Sequence, residues 1–380
     1  MTIPTRLLLL ACITPLCAAP QWVFVADDQN TYYREGVMGV REGARVGAVS
    51  AFDFSTFPPK AWHMDNVPCS VVGPPAAIAG NGAGKVLVTQ SMKVDPADPT
   101  KLTGGNLLTL LAVCPEKGFK VLDQQEVGLE PTAVVFAPGG ERAYVAVRRE
   151  GIVARYKIDG DKLVLEGKQK IAEPDDNVSM VAISPDGKTA LASLHTRPAI
   201  LVFDVQADGS LKEIQTLPTP NNVYDIHFIH CGQRALISCT LVNIIATLEK
   251  GKDGQWGVSS VEKNIGRIAE GLEVSPDEKW ISVSCFDGAN TSAKDKKWYG
   301  QPGRVYMFEL GKDGNLSGRQ PLDVGGVQQA AGFSPDGKYV LAGRFGLGDL
   351  AVYKLEDGSW VNTGATFEIP GQCASMFTEK

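Results

Sequence analysis

The sequence predicts an all-β fold, a seven-bladed β-propeller of four-stranded antiparallel blades. Three observations carry the prediction. A unit of about 45 residues recurs along the chain. Each copy reads as short apolar strands joined by Gly, Pro, Asn and Asp turns. The 380 residues include 41 Gly and 23 Pro, the turn density that such a repeat needs. One four-stranded sheet alone leaves both faces bare, whereas sheets stacked radially bury one another.

Residues 178–205 show the unit most clearly. Residues 178–184 read as an inner strand. Pro185-Asp186-Gly187 then turns the chain, Pro with its fixed φ and Gly accepting a positive one. Residues 189–194 return, 200–205 form a β-branched third strand, and 211–217 a fourth. Aligned on this first turn, the copies turn at Ala137, Ser184, His230, Ser275 and Ser334, in steps of 47, 46, 45 and 59. A weaker copy turns at Asn81-Gly82-Ala83-Gly84.

Taken in order, residues 1–19 read as an export signal. Arg6 precedes the apolar run 7–16, and Cys17-Ala18-Ala19 supplies small residues for cleavage. The run is too short to span a membrane, so a periplasmic or secreted protein without a transmembrane segment is expected. Residues 20–380 are expected to be one propeller domain. Residues 21–27, 47–54 and 61–67 are three strands without an inner partner, and 373–377 is an inner strand without successors. Ala330 to Ala374 is 44 residues, one period. The C-terminal strand should therefore pair with the N-terminal strands in a composite seventh blade and close the ring. Blades one to six are expected at 73–127, 128–172, 173–219, 220–264, 265–325 and 326–370.

Three long connections, 29–45, 91–105 and 289–303, all fall between second and third strands and so emerge on one face. Long loops on a rigid scaffold commonly carry function. The second strands end on that face at Asp27, Asp28, Gln90, Arg148, His195, Asp287 and Arg344. The inner strands begin beside them at Asp176, Tyr224, Glu270 and Gln329. Arg suits bidentate carboxylate binding, and His or Glu can move a proton. Trp298 and its lysine neighbours tip the 289–303 loop, and Tyr32 and Tyr33 tip 29–45; these suit a sugar, an anion or a protein.

The net charge of −6 offers nothing to nucleic acid or anionic lipid. Of eight cysteines, two lie in 1–19; the other six are irregularly spaced and read mostly as free buried thiols, with Cys239–Cys285 the pair to examine for a disulfide. No zinc, calcium, P-loop or G-x-S-x-G pattern occurs, so no metal or cofactor is expected. His227 and His230, three apart on a strand, face opposite ways and should not share a metal. A monomer is expected.

The repeats Ser184-Pro185-Asp186-Gly187-Lys188 and Ser334-Pro335-Asp336-Gly337-Lys338, with Ala207-Asp208-Gly209-Ser210-Leu211 and Gly311-Lys312-Asp313-Gly314-Asn315-Leu316 after third strands, resemble the seven-bladed lactonase-like and YVTN-type propellers. The resemblance spans the chain after residue 19. It implies a scaffold shared by sugar-acid lactone hydrolases, muconate-cyclising enzymes and exported binding proteins. The lactonase branch opens an inner strand with a Gly-Pro-Arg-His type signature. Here the matching positions read Glu130-Pro131-Thr132-Ala133, Asp176-Asn177-Val178-Ser179 and Glu270-Gly271-Leu272-Glu273, without the Arg-His pair.

The reading favoured from sequence is an exported platform that binds a small molecule or a protein on its loop-rich face. The alternative is a lactonase-like hydrolase or cycloisomerase acting on a sugar-acid or carboxylate-bearing lactone in the channel, with Arg148, His195, Glu270 and Arg344 as its catalytic set. A structural role in an envelope assembly is the third class.

Overall fold

The structure, a computed structural model, describes residues 21–71, 76–263 and 265–379. The expected signal, residues 1–19, lies outside the described residues. No helix among the described residues is long and apolar enough to cross a membrane.

Seven four-stranded antiparallel sheets form the ring. From the inner strand outward, blade one is Ile78–Gly80, Lys85–Val94, Leu102–Cys114 and Gly118–Glu126. Blade two is Pro131–Phe136, Arg142–Val147, Ile152–Asp159 and Lys162–Lys170; blade three is Val178–Ile183, Thr189–Leu194, Ala199–Val205 and Leu211–Pro218. Blade four is Val223–Ile229, Arg234–Cys239, Ile244–Lys250 and Trp256–Lys263; blade five is Ala269–Val274, Trp280–Cys285, Arg304–Leu310 and Leu316–Asp323. Blade six is Ala331–Phe333, Tyr339–Arg344, Asp349–Glu356 and Ser359–Glu368. The composite blade seven has Gln372–Thr378 as its inner strand, then Trp22–Asp28, Ala48–Asp53 and Lys60–Asp65. The inner strands pack in order and return from blade seven to blade one, so the ring closes as the strand count predicts.

The first turns explain themselves chemically. Ser184 Oγ donates to Asp186 Oδ1 at 2.6 Å and accepts the Thr189 amide at 2.9 Å, while Gly187 takes φ 71°. Ser275 and Ser334 repeat the device. Blade four lacks this sequence, and its turn is held from outside: Glu278 Oε2 accepts the His230 amide at 2.9 Å and lies 3.0 Å from its Nδ1.

Two expectations change. Residues 91–105 are largely not a loop, because the second and third strands of blade one extend through it as a paired hairpin. Residues 29–45 hold a separate hairpin, Thr31–Arg34 with Val37–Val40. The six described cysteines are free thiols; Cys239 and Cys285 are buried and unbonded to each other.

Candidate functional site

The channel wall takes its polar character from a repeated irregularity. Near the loop face, the inner strands of blades two, three, four and five slip register against their second strands, at Pro131/Ala133, Val178/Val181, Val223/Ile226 and Ala269/Leu272. A β-bulge re-aims the side chain it carries. The residue that follows the last paired position is Thr132 in blade two and Ser179 in blade three, both small. In blades four and five it is Tyr224 and Glu270. The same irregularity therefore carries small hydroxyl residues in blades two and three and large polar side chains in blades four and five.

Four side chains named from sequence meet there. The Tyr224 hydroxyl donates to the Glu270 carboxylate, and the Arg148 guanidinium acts on both groups through its charge. The His195 ring sits edge-on to Tyr224 at 5.6 Å and hydrogen-bonds to the Val223 backbone; its Nδ1 is buried without a protein partner. Glu270 keeps some surface toward the channel, yet the wall encloses its carboxyl. Burial, with a smaller push from neighbouring Asp225, raises its pKa to about 7 against the downward pull of Tyr224 and Arg148. Burial, and then the charge of Arg148, lower His195 to about 4, so this imidazole is neutral at neutral pH. Arg148 is positioned by Asn177 Oδ1, 3.2 Å from its Nε. Gln329, 1 % exposed, has neither end of its amide paired within the protein.

The remaining sequence candidates are engaged elsewhere. Arg344 forms a two-pronged pair with Asp349 of its own blade. Asp287 is fully buried and accepts from the Arg267 amide, Arg304 and Tyr306, so it is a bracket inside blade five. Asp28 accepts from the Asn30 amide and from Thr31 Oγ1, which starts the blade-seven hairpin. Asp27 accepts Ser50 Oγ at 2.6 Å within blade seven. Asp176 closes a one-turn helix through the Glu173 amide and lies 3.6 Å from Arg197. Gln90 is buried against Gly105, and Trp298 is half-buried in the 289–303 loop beneath Lys297.

Sequence reasoning placed Tyr33 on an outward tip. It turns inward, its ring 6.3 Å from Phe286 and 5.8 Å from Phe345. The hairpin thus leaves blade seven, crosses blade six and reaches blade five, where Gly36 abuts the Asn290–Ser292 backbone so closely that a Cβ would collide. Burial, with the charges of Glu270 and Asp28 added, pushes the Tyr33 hydroxyl up to about 12. Its phenol is therefore neutral at neutral pH and lies within reach of the Glu270 charge. The channel also holds an apolar cavity of about 260 Å3 toward the opposite, short-turn face, lined in part by Asp225, His227 and Glu273.

Comparison with known proteins matches this architecture. The family described as "Lactonase, 7-bladed beta-propeller" matches residues 99–222, about a third of the chain. A 6-phosphogluconolactonase of Bacillus subtilis is 29 % identical over 144 residues, covering 34 % of this chain and 40 % of that protein. Among solved structures, a periplasmic gluconolactonase of Pseudomonas aeruginosa superposes with a TM-score of 0.68 at 17 % identity, over 94 % of this chain and 99 % of that one. A Kuenenia stuttgartiensis hydrazine synthase chain superposes with a TM-score of 0.59 at 16 % identity, over 82 % and 93 %. Identities this low establish the fold and leave chemistry open. The chain is thus a seven-bladed β-propeller of lactonase-like architecture, with the lactonase family pattern in residues 99–222.

Proposed function

We propose that the protein hydrolyses a lactone bearing hydroxyl or carboxylate groups, at the loop end of the channel. The observation that carries this reading is the Arg148–His195–Tyr224–Glu270 cluster, in which a carboxyl titrates near 7 beside a fixed positive charge. Glu270 takes a proton from water as its oxygen bonds to the lactone carbonyl carbon. The acyl C–O bond of the ring then breaks, and the proton passes to the departing ring oxygen. The product is an open hydroxy acid. Arg148 offsets the negative charge that develops, the neutral His195 ring packs edge-on against Tyr224 and keeps it in place, and Tyr224 holds Glu270. The likeness to lactonase propellers supports the reaction class, and the missing Arg-His signature leaves residue roles to this chain's own geometry. Export, inferred from residues 1–19, favours an unphosphorylated substrate.

The test is a pH-stat assay over sugar-acid and carboxylate-bearing lactones, glucono-1,5-lactone among them. Glu270→Gln should lower kcat by about 10²–10⁴. Arg148→Ala should raise KM chiefly for the anionic members. No turnover across the series, or a Glu270→Gln variant as active as the parent, overturns the assignment.

A further inference from the structure

At the short-turn end, the cavity of about 260 Å3 continues into a wider mouth of about 590 Å3, and the two share Phe136, Ile183, His227, Glu273 and Phe377. Strand register shows how this funnel is built. His227 pairs with Leu236, and Glu273 pairs with Ser282. The equivalent positions in blades one, two, three, six and seven are Ala79, Val135, Ala182, Gly332 and Phe377. Five blades thus place an apolar or small residue at this level, and two adjacent blades place an imidazole and a carboxylate.

The charge is one-sided. Asp225 is 2 % exposed, accepts the Ile226 and Leu272 amides at 2.9 and 3.0 Å, and lies 3.3 Å from His227 Nε2. Glu379 stands at the mouth, accepting the Gly82 amide at 2.8 Å. Among the described residues, three carboxylates and one imidazole line cavity and mouth, with no Lys or Arg. An anionic ligand would be repelled here, unlike at the Arg148 end. An ammonium gains from the carboxylates and from the Phe136 and Phe377 rings. An apolar cavity of about 150 Å3 accepts benzene, so this one has room for a ring with a short chain.

We propose that the turn-face funnel binds a small hydrophobic amine, a ligand with an apolar body of about one aromatic ring and a protonated nitrogen directed at Glu273. The site is separate from the lactone cluster and stands whether or not that cluster hydrolyses lactones.

Calorimetric titration of the purified protein with phenethylamine, phenethyl alcohol and hydrocinnamate tests it. Phenethylamine should saturate the protein, the alcohol should bind about tenfold more weakly or less, and hydrocinnamate should not bind. Glu273→Gln should weaken the amine about tenfold, leave the alcohol unchanged and leave lactone turnover unaffected. Ala182→Phe should fill the funnel and abolish binding of both. Equal binding of amine and alcohol shows an apolar void alone and overturns the proposal. So does binding of hydrocinnamate as tight as that of the amine, or no amine saturation below about 10 mM. A folded Glu273→Gln variant that binds the amine like the parent overturns it as well, whatever the fate of Ala182→Phe.

Discussion

Glu270 carries a stability signature as well as a chemical one. Its folded pKa, about 7, lies above the ordinary 4.5. Between those values the folded chain holds a proton that the unfolded chain has released. Stability from this group is therefore complete below about pH 4.5, falls as pH rises toward 7, and is level beyond it. The full loss is on the order of 3 kcal/mol, from about 1.4 kcal/mol per pH unit. Glu270→Gln should flatten the stability–pH profile over that interval and raise the urea midpoint above pH 7, even as it removes activity. A variant whose profile keeps the parent's slope would show that the carboxyl is not held protonated. The same residue should give the activity profile a rising limb centred near pH 7, since a general base must be ionised.

At the scale of elements, the blades are joined by a glutamine clamp repeated on their outer strands. Gln215 of blade three donates to the Trp256 carbonyl at 2.7 Å and accepts the Trp256 amide at 2.8 Å. Gln320 makes the same pair with Trp360 at 2.8 and 2.9 Å, and Gln169 does so with Leu211. Each clamp satisfies both backbone groups that open the next blade's outer strand. Gln215→Ala should lower unfolding free energy by about 1–3 kcal/mol with an unchanged denaturant slope. The blade-seven hairpin is held differently, by Tyr33 packed between two phenylalanine rings. Tyr33→Ala should speed amide exchange across residues 31–40 and leave Trp22–Asp28 protected; unchanged exchange at 31–40 would show that the ring contacts do not hold the hairpin. The clamp was open to sequence reading, because Gln169 and Gln215 are one period apart. The inward turn of Tyr33 was not, since its partners lie in blades five and six.

At the scale of the whole molecule, closure depends on the composite blade. Cys373 and Met376 are buried with Val23, Val25 and Leu341, and the Glu379 amide donates to the Trp22 carbonyl at 3.0 Å. Removing residues 372–380 should strip the inner edge of Trp22–Asp28 and cost the cooperative unfolding transition. A circular permutant joining 379 to 21 by a short linker, opened at the exposed turn 160–161, should regain it. If the truncated chain unfolds with the parent's midpoint, the ring does not rely on this seam.

Blade count, strand order and the joining of the two ends were legible because they are written locally. Period-two apolar patterning and Ser-Pro-Asp-Gly turns specify each blade from its own residues, and a fixed period stacks the blades in order. Which polar side chains share the channel was decided only in three dimensions. Arg148, His195 and Glu270 meet, while Arg344, read from the same strand-end position as Arg148, is drawn aside by Asp349 of its own sheet. The bulges that re-aim Tyr224 and Glu270, and the His227–Glu273 funnel below them, depend on register between strands and on neighbours a full blade away. Those long-range contacts form only when the ring closes, so no stretch of sequence read alone contains them.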